Sequence, residues 1–130
     1  MNTLIDQATF DEIARTNQHF SKAPLAFFYA WKQGVELVGP SLFGKGTQAC
    51  LDQAVDKWDL RPNVEAISNA IGVMSSGEKV FLAAMVSFYN SKDGGALLKR
   101  VGVHGLADLG GLDLQRRKII AELILNYNGW

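Results

Sequence analysis

The stretch from Ser75 to Tyr89 constrains the fold of this chain more than any other. Ser75 and Glu78 match the S-x-x-E capping box, in which each side chain bonds the other residue's backbone N–H at a helix N-terminus. Residues 80–88 are apolar at almost every position, so the predicted helix is apolar on all of its faces. Such a helix normally lies at the centre of a fold. The rest of the chain is therefore expected to surround a helix near 76–89.

The first third of the chain has helical periodicity. Thr9 and Glu12 match a second capping box, and apolar residues follow at helical spacing. Because proline normally ends a helix, we expect this first helix to stop before Pro24. A second helix is predicted from Pro24 to Val38, since its polar and apolar positions form two opposite stripes with a period near 3.6.

The remaining segments are also predicted to be helical. A third helix begins after Thr47 and continues to Trp58, a fourth starts near Pro62, and Asp113 caps the last one. Residues 90–95 are predicted to form a turn. No segment alternates between apolar and polar residues, and 130 residues suit one domain. We therefore predict an all-α single domain over residues 1–130, a compact bundle of about six short-to-medium helices.

Composition argues against several classes of protein. Thirteen basic residues balance thirteen acidic ones, whereas a nucleic-acid binder usually carries a basic excess. The longest uncharged apolar stretch, 80–89, is half of the roughly 20 residues that a spanning helix needs. The N-terminus lacks the basic and apolar regions of a secretory signal, and the single cysteine suits a reducing compartment. We expect a cytoplasmic protein that does not associate with membranes.

One predicted loop contains a glycine-rich motif. Residues 39–49 read Gly-Pro-Ser-Leu-Phe-Gly-Lys-Gly-Thr-Gln-Ala. This string resembles the phosphate-binding loop of the nucleoside monophosphate kinases, the adenylate kinase family. The resemblance implies backbone N–H groups that surround phosphates, a lysine on the β- and γ-phosphates and a threonine on magnesium. The residues at these motif positions are Gly39, Gly44, Lys45 and Thr47, together with Gly46 and Gln48.

The surroundings of this motif favour a different interpretation. A phosphate-binding loop follows a buried parallel strand, but residues 35–38 continue the helical stripe of the preceding segment. Leu42 and Phe43 are bulky where small residues would let the backbone approach a phosphate. The alternative is a glycine-rich connection between two helices. A P-loop-like nucleotide-binding enzyme is thus an alternative function, and we predict no cofactor.

Other chemically active residues are few. His19 and His104 are the only histidines, and we find no set of four ligands for structural zinc, so no metal site is predicted. The carboxylates of Asp52 and Asp56, with Asp59 nearby, are interpreted as a solvated face. Cys50 lies on an apolar stripe, where a free cysteine behaves as a small hydrophobe. No catalytic residue is predicted.

Two groups of residues point to recognition of a partner. Arg116, Arg117 and Lys118, which we call the basic trio, lie in the first turn of the last helix, where the helix dipole disfavours cations. This placement suggests that the basic trio binds an acidic partner surface. Two aromatic residues lie off the main apolar stripe of their helix, and aromatic residues are enriched at interfaces. We therefore predict a non-catalytic protein–protein interaction module, with a small DNA-binding regulator as a second alternative, and leave homo-oligomerisation open. The predicted surface residues are Phe28, Tyr29, Arg116, Arg117 and Lys118.

The last five residues predict a helix end. Gly129 would adopt the left-handed conformation at C′, which would place Trp130 against Leu125 in the Schellman arrangement. Trp130 is therefore expected to fold back onto its own helix.

Overall fold

The computed structural model describes residues 6–130. Over that range the fold is all-α, as the sequence predicts, and Phe43 and Pro62 form an isolated β-bridge. The α-helices of the described residues are α1 (Gln7–Val38), α2 (Gln48–Gln53), α3 (Val64–Ala70), α4 (Ser76–Tyr89), α5 (Ser91–Arg100) and α6 (Leu114–Asn126). Short 3₁₀ turns lie between them, at Pro40–Leu42, Lys57–Leu60, Ile71–Val73 and Leu106–Gly111.

Helix α4 lies at the centre, with the bounds that the sequence predicts. Residues 81–86 of this helix are all buried. Ser75 caps the helix as expected, since its hydroxyl accepts from the Glu78 N–H at 3.4 Å. The same hydroxyl donates to Glu78 Oε1 at 2.7 Å, so the two side chains bond each other and only the Ser75 half of the capping box is formed. Helices α1, α5 and α6 all pack against α4, and their buried apolar side chains join its own in one continuous core.

Helix α1 differs from the prediction in two ways. It begins directly after Asp6, whose carboxylate accepts from the Thr9 N–H at 2.8 Å, so Thr9 is not the cap. It also passes through Pro24 without ending and spans 32 residues, or about 48 Å. Pro24 leaves the Phe20 carbonyl without its helical donor. Burial on the C-terminal side of Pro24, at Phe27 and beyond, outweighs this loss.

Helix α2 is shorter than predicted. Thr47 caps it as expected, accepting from the Cys50 N–H at 3.1 Å, but the helix ends at Gln53. Asp56 and Asp59 then form a capping box of their own, which starts the 3₁₀ turn that follows. These carboxylates satisfy the backbone N–H groups there, so the helical stripe breaks and the side chain at position 58 is exposed.

The turn predicted at 90–95 is wrong. Helix α5 begins at Ser91, because the Asn90 side chain accepts from the N–H groups of Lys92 and Asp93, both at 3.0 Å.

Gly94 is needed in α5 by packing. A Cβ at Gly94 would lie 2.7 Å from Ser87 Cβ and closer still to the Ser87 backbone. The glycine therefore brings α5 against α4 at van der Waals distance.

The end of the chain is partly as predicted. Asp113 caps α6 by accepting from the Arg116 N–H at 2.8 Å, and Gly129 has φ +91°. However, α6 ends at residue 126, three residues before Gly129, so the Schellman arrangement is absent. Trp130 does fold back, but onto the aromatic core and not onto Leu125, which is exposed.

No helix within residues 6–130 combines the length and the apolar character needed to cross a bilayer.

Candidate functional site

The two predicted aromatic surface residues have different environments. Phe28 is only 7% exposed and belongs to the hydrophobic core, so its predicted place at the surface is wrong. Helix α1 buries more than one face, because α4, α6 and the Lys57–Leu60 turn all pack against it. Tyr29, the next residue, is exposed as predicted.

Two residues of the basic trio make local contacts. Arg116 is half-buried, contrary to the prediction, with Nη1 at 2.6 Å from Asp113 Oδ2 and its guanidinium 5.8 Å from the centre of the Phe81 ring. Arg117 is exposed, but its guanidinium donates to the carbonyls of Leu112, at 2.7 Å, and of residue 110. Both arginines therefore hold the chain where it enters α6, which accounts for cations at a helix N-terminus.

Lys118 is separate from this network. It is exposed and lines a shallow depression of about 440 Å³ with Gln33, Glu36 and Leu37 of α1. Lys118 therefore lies next to α1, whereas Arg116 and Arg117 make structural contacts within their own region of the chain.

The glycine-rich loop at 39–47 connects two helices. The N–H groups of Gly44 and Gly46 donate to the carbonyls of residues 61 and 43, both at 2.8 Å. The Lys45 N–H points at the Cys50 sulfur, 3.5 Å away. Successive N–H groups that would surround a phosphate are thus already used inside the protein. Gly39, at the other end of the motif, donates to the carbonyl of residue 35 as the end of α1.

Packing explains the glycines of this loop without a nucleotide. Phe43 is buried and packs on the edge of Trp31, with ring centres 6.0 Å apart. Gly44 has φ +55°, and a Cβ there would lie 2.9 Å from the Cys50 sulfur and closer still to Asp59 O. The loop is held down by a core aromatic residue, and its glycine allows the close approach.

A broad pocket lies beside this loop. It has a volume of about 750 Å³ and is open to solvent. Lys45 and Arg61 supply positive charge, and the Cys50 sulfur lies 3.5 Å from Asp59 O. The remaining lining residues are Gly44, Thr47, Ala49, Gln53, Ala54, Trp58, Pro62, Asn63 and Tyr89.

The other candidate residues serve local structure. The Asp108 carboxylate accepts from the N–H groups of His104 and Gly105, at 2.7 and 3.2 Å, and these bonds hold its pKa below the usual range. The Asp56 and Asp59 carboxylates cap the 3₁₀ turn described above. Within residues 6–130, no three His, Cys, Asp or Glu residues come close enough together to hold a metal ion.

An aromatic cluster surrounds Trp130. Its ring centre lies 4.8 Å from that of Trp31, 5.1 Å from Tyr89, and 6.0 Å from both Phe27 and Trp58. These pairs meet edge to face, an arrangement that aromatic quadrupoles favour. The cluster ties the chain after α6 to α1 and α4.

Lys57 covers this cluster. Its ammonium group donates to Gly129 O at 2.8 Å and lies 5.2 Å from the centre of the Trp130 ring. Partial burial lowers the pKa of Lys57, and the nearby Asp56 carboxylate opposes this shift. The lysine fixes the position of the chain just before Trp130.

The N-terminal part of α1 presents apolar side chains to solvent. Phe10, Ile13 and Phe20 are 59%, 45% and 40% exposed. Helix α6 ends beside His19, whose Nε2 lies 2.9 Å from Leu125 O, so α1 before His19 extends past the end of the bundle. We call residues 7–18 the extension. It is about 18 Å long and is exposed at every position except the half-buried residue 11.

The exposed side chains continue the stripe that packs in the core. Ile13 and Phe20 precede the buried Phe27 at intervals of seven residues, or about two helical turns. The sequence pattern places Ile13 and Phe20 on one face of the first predicted helix and Phe27 on a separate second helix, and it does not predict that the first face is exposed. The signal was the seven-residue spacing across Pro24, which is visible only if the helix continues through it. We call the exposed part of this stripe the seam patch: Phe10, Ile13, Asn17 and Phe20.

Comparisons with protein-family models, with curated proteins and with solved structures gave no match to this chain.

Proposed function

We propose that this protein is a non-catalytic interaction module of the cytoplasm, which binds a helix of another polypeptide through the seam patch. The observation that carries the proposal is the continuity of the stripe. Beyond Pro24 the stripe packs against the protein's own helices, and before Pro24 the same stripe is exposed. Apolar anchors at such helical spacing are the pattern by which helices bind one another in grooves and zippers.

The energy available at the seam patch suits reversible binding. Full burial of a Phe or Ile side chain contributes about 1.5–3 kcal/mol, and the three apolar side chains of the patch are about half exposed. Covering them would therefore contribute roughly 3–4 kcal/mol. A partner would also stabilise the helix itself, because an isolated helix of about 12 residues is marginal in water.

Charge supports the same face. The charged residues of the extension are Asp11, Glu12 and Arg15, and Lys22 follows just after it. At about 100° per residue, all of them lie more than about 100° from the middle of the seam patch. A partner helix on the patch would therefore leave every one of these charges in water. The basic trio is not part of this surface, since its two arginines already have local partners.

A photo-crosslinking amino acid in place of Ile13 tests the proposal in the native cell. We expect a crosslinked product with another polypeptide, whereas the same crosslinker at Val73, which is 93% exposed on the Ile71–Val73 turn, should give none. Adding Phe10→Ser and Phe20→Ser should abolish the product. Equal crosslinking at positions 13 and 73, or none at 13, would contradict the proposal.

A further inference from the structure

We propose that the partner of the seam patch is a second copy of this chain, with the two α1 extensions packed antiparallel. This inference rests on the proposed function, because it names the polypeptide that covers the same patch. It follows from the length of the open seam, from the position of the bundle and from the residues that flank the seam.

The length of the seam matches the length of the helix that would cover it. The open seam lies between the start of α1 at Gln7 and Ala23, which is buried under the bundle. In an antiparallel pair centred on residue 15, residue 7 of one copy lies opposite residue 23 of the other. Phe10 then lies opposite Phe20, and residue 13 lies opposite residue 17. Each helix covers the open seam of the other and ends where the other bundle begins.

The position of the bundle excludes the parallel arrangement. In each copy, the stripe beyond Ala23 is covered by that copy's own helices. Parallel α1 helices would put both bundles at the same end and on the same face, where they would collide. Antiparallel helices put the bundles at opposite ends of the pair. In this arrangement the two helix dipoles also point in opposite directions.

The residues beside the seam permit a close approach. Between Gln7 and Ala23 the flanking positions hold small, uncharged side chains, so over this range neither like charges nor long side chains separate the helices, and Asp6 lies in line with the seam just outside it. The zero net charge of the chain also removes a general barrier to self-association. The flanking residues are Thr9, Ala14, Thr16 and Ser21.

The surface area that the two copies would bury predicts a weak dimer. A Phe side chain offers about 200 Å², so the half-exposed Phe10 and Phe20 of two copies supply roughly 400 Å² of apolar surface. With the other seam and flanking positions, the total approaches about 1,000 Å², the lower limit of specific interfaces. Association in the micromolar range is therefore expected.

Analytical ultracentrifugation of the purified chain tests the dimer. We expect a reversible monomer–dimer equilibrium with a Kd of about 10–100 µM, as befits an interface at the small end of the range. Ile13→Asp should weaken association at least about tenfold, because it places two charges in the apolar seam, whereas the matched variant Val73→Asp should leave the Kd unchanged. A chain that stays monomeric at about 200 µM, or equal effects of the two variants, would refute the dimer.

Disulfide trapping tests the orientation. In a Cys50→Ala background, Phe10→Cys and Phe20→Cys proteins mixed with oxidised glutathione should form the mixed disulfide in preference to either homodimer. Preferential Phe10→Cys homodimers would instead refute the antiparallel arrangement. The two proposals fail separately: a monomer in vitro that still crosslinks at position 13 in cells, to a product of another mass, rejects self-association and keeps the interaction module.

Discussion

Replacing Trp130 by alanine should destabilise the whole domain, although the residue lies beyond the last helix. Its indole contacts four aromatic rings, from α1, α4 and the Lys57–Leu60 turn. A tryptophan side chain buries about 150–250 Å². Because Trp130 is partly exposed, we take about 150 Å², which at about 25 cal/mol per Å² contributes roughly 4 kcal/mol.

A gain in chain entropy offsets part of this loss of stability when Trp130 is replaced. Tyr127 keeps its own contacts with Phe27 and Phe88, so only the last two residues would become free, and each regains about 1–2 kcal/mol of backbone entropy, roughly 3 kcal/mol together. The hydrogen bond from Lys57 to Gly129 O would be lost together with the indole, so the expected net loss is about 2 kcal/mol. For a chain of this size, that corresponds to a Tm lower by roughly 6–12 °C.

Thermal and urea denaturation followed by circular dichroism measure this effect. Trp130→Phe should recover part of the loss, since a smaller ring still contacts Trp31. Leu125→Ala is the matched control, because Leu125 is exposed and should change Tm by less than about 2 °C. A Trp130→Ala protein that melted with the wild type would show that the aromatic contacts of Trp130 do not stabilise the domain. Equal destabilisation by Leu125→Ala and Trp130→Ala would instead indicate that Trp130 packs on Leu125, as in the Schellman arrangement.

Two further predictions concern helix packing and capping. Gly94→Ala should lower the free energy of unfolding by about 1–3 kcal/mol, because the added Cβ forces α5 away from Ser87. Gly95→Ala is the matched control: its Cβ would point into open space, so this variant should raise the free energy of unfolding by up to about 1 kcal/mol. Equal effects of the two variants in urea titrations would contradict the close approach of Gly94 to Ser87. The Arg116 backbone N–H and, to a smaller extent, the Arg116 guanidinium bond the Asp113 carboxylate and hold its pKa below the usual range. The ionised carboxylate therefore stabilises the fold at pH values above its ordinary pKa, and this contribution is lost as the pH falls through the lowered pKa of the folded protein. The stability advantage over Asp113→Asn should therefore shrink below about pH 4, and an advantage that stays constant from about pH 6 to about pH 2.5 would count against the cap.

Short-range chemistry made much of the fold predictable. The caps at Thr47, Ser75 and Asp113 depend on residues only three positions away, and all three formed as the sequence predicts. Helix α4 was equally predictable, because a helix that is apolar on every face can bury all of its side chains only at the centre. A signal within one helical turn was enough at these three caps, but not at Thr9, because Asp6, three residues earlier, caps α1 instead.

Features decided by tertiary packing could not be predicted in this way. Pro24 should end a helix by local rules, and only the burial of the residues after it keeps α1 continuous. Phe28 lies off the main stripe and is nevertheless buried, because several elements surround α1 at that level. The approach of Gly94 to Ser87 depends on a neighbouring helix, so the sequence of residues 90–95 is typical of a turn although it forms a helix.

The candidate surface was harder to predict than the fold. The basic trio was chosen for its unfavourable place in the helix dipole, but Arg117 satisfies the carbonyls of the preceding turn. Phe10 and Phe20 recur at helical spacing, which placed them on one apolar face of the first helix but did not predict that this face is exposed. Spacing identifies the face of a helix that needs a partner, and it does not say whether the partner belongs to the same chain.

Pro24 has a consequence for how α1 melts. Helix unfolding normally propagates residue by residue along the series of backbone hydrogen bonds. At Pro24 one of these bonds is missing, and it lies at the boundary between the exposed and the packed part of the helix. Opening of residues 7–22 can therefore stop there, without loosening Phe27 and the core behind it. We therefore expect residues 7–22 and the bundle to behave as two cooperative units of different stability. In the proposed dimer, this segment could then exchange between free and paired states while the bundle stays folded.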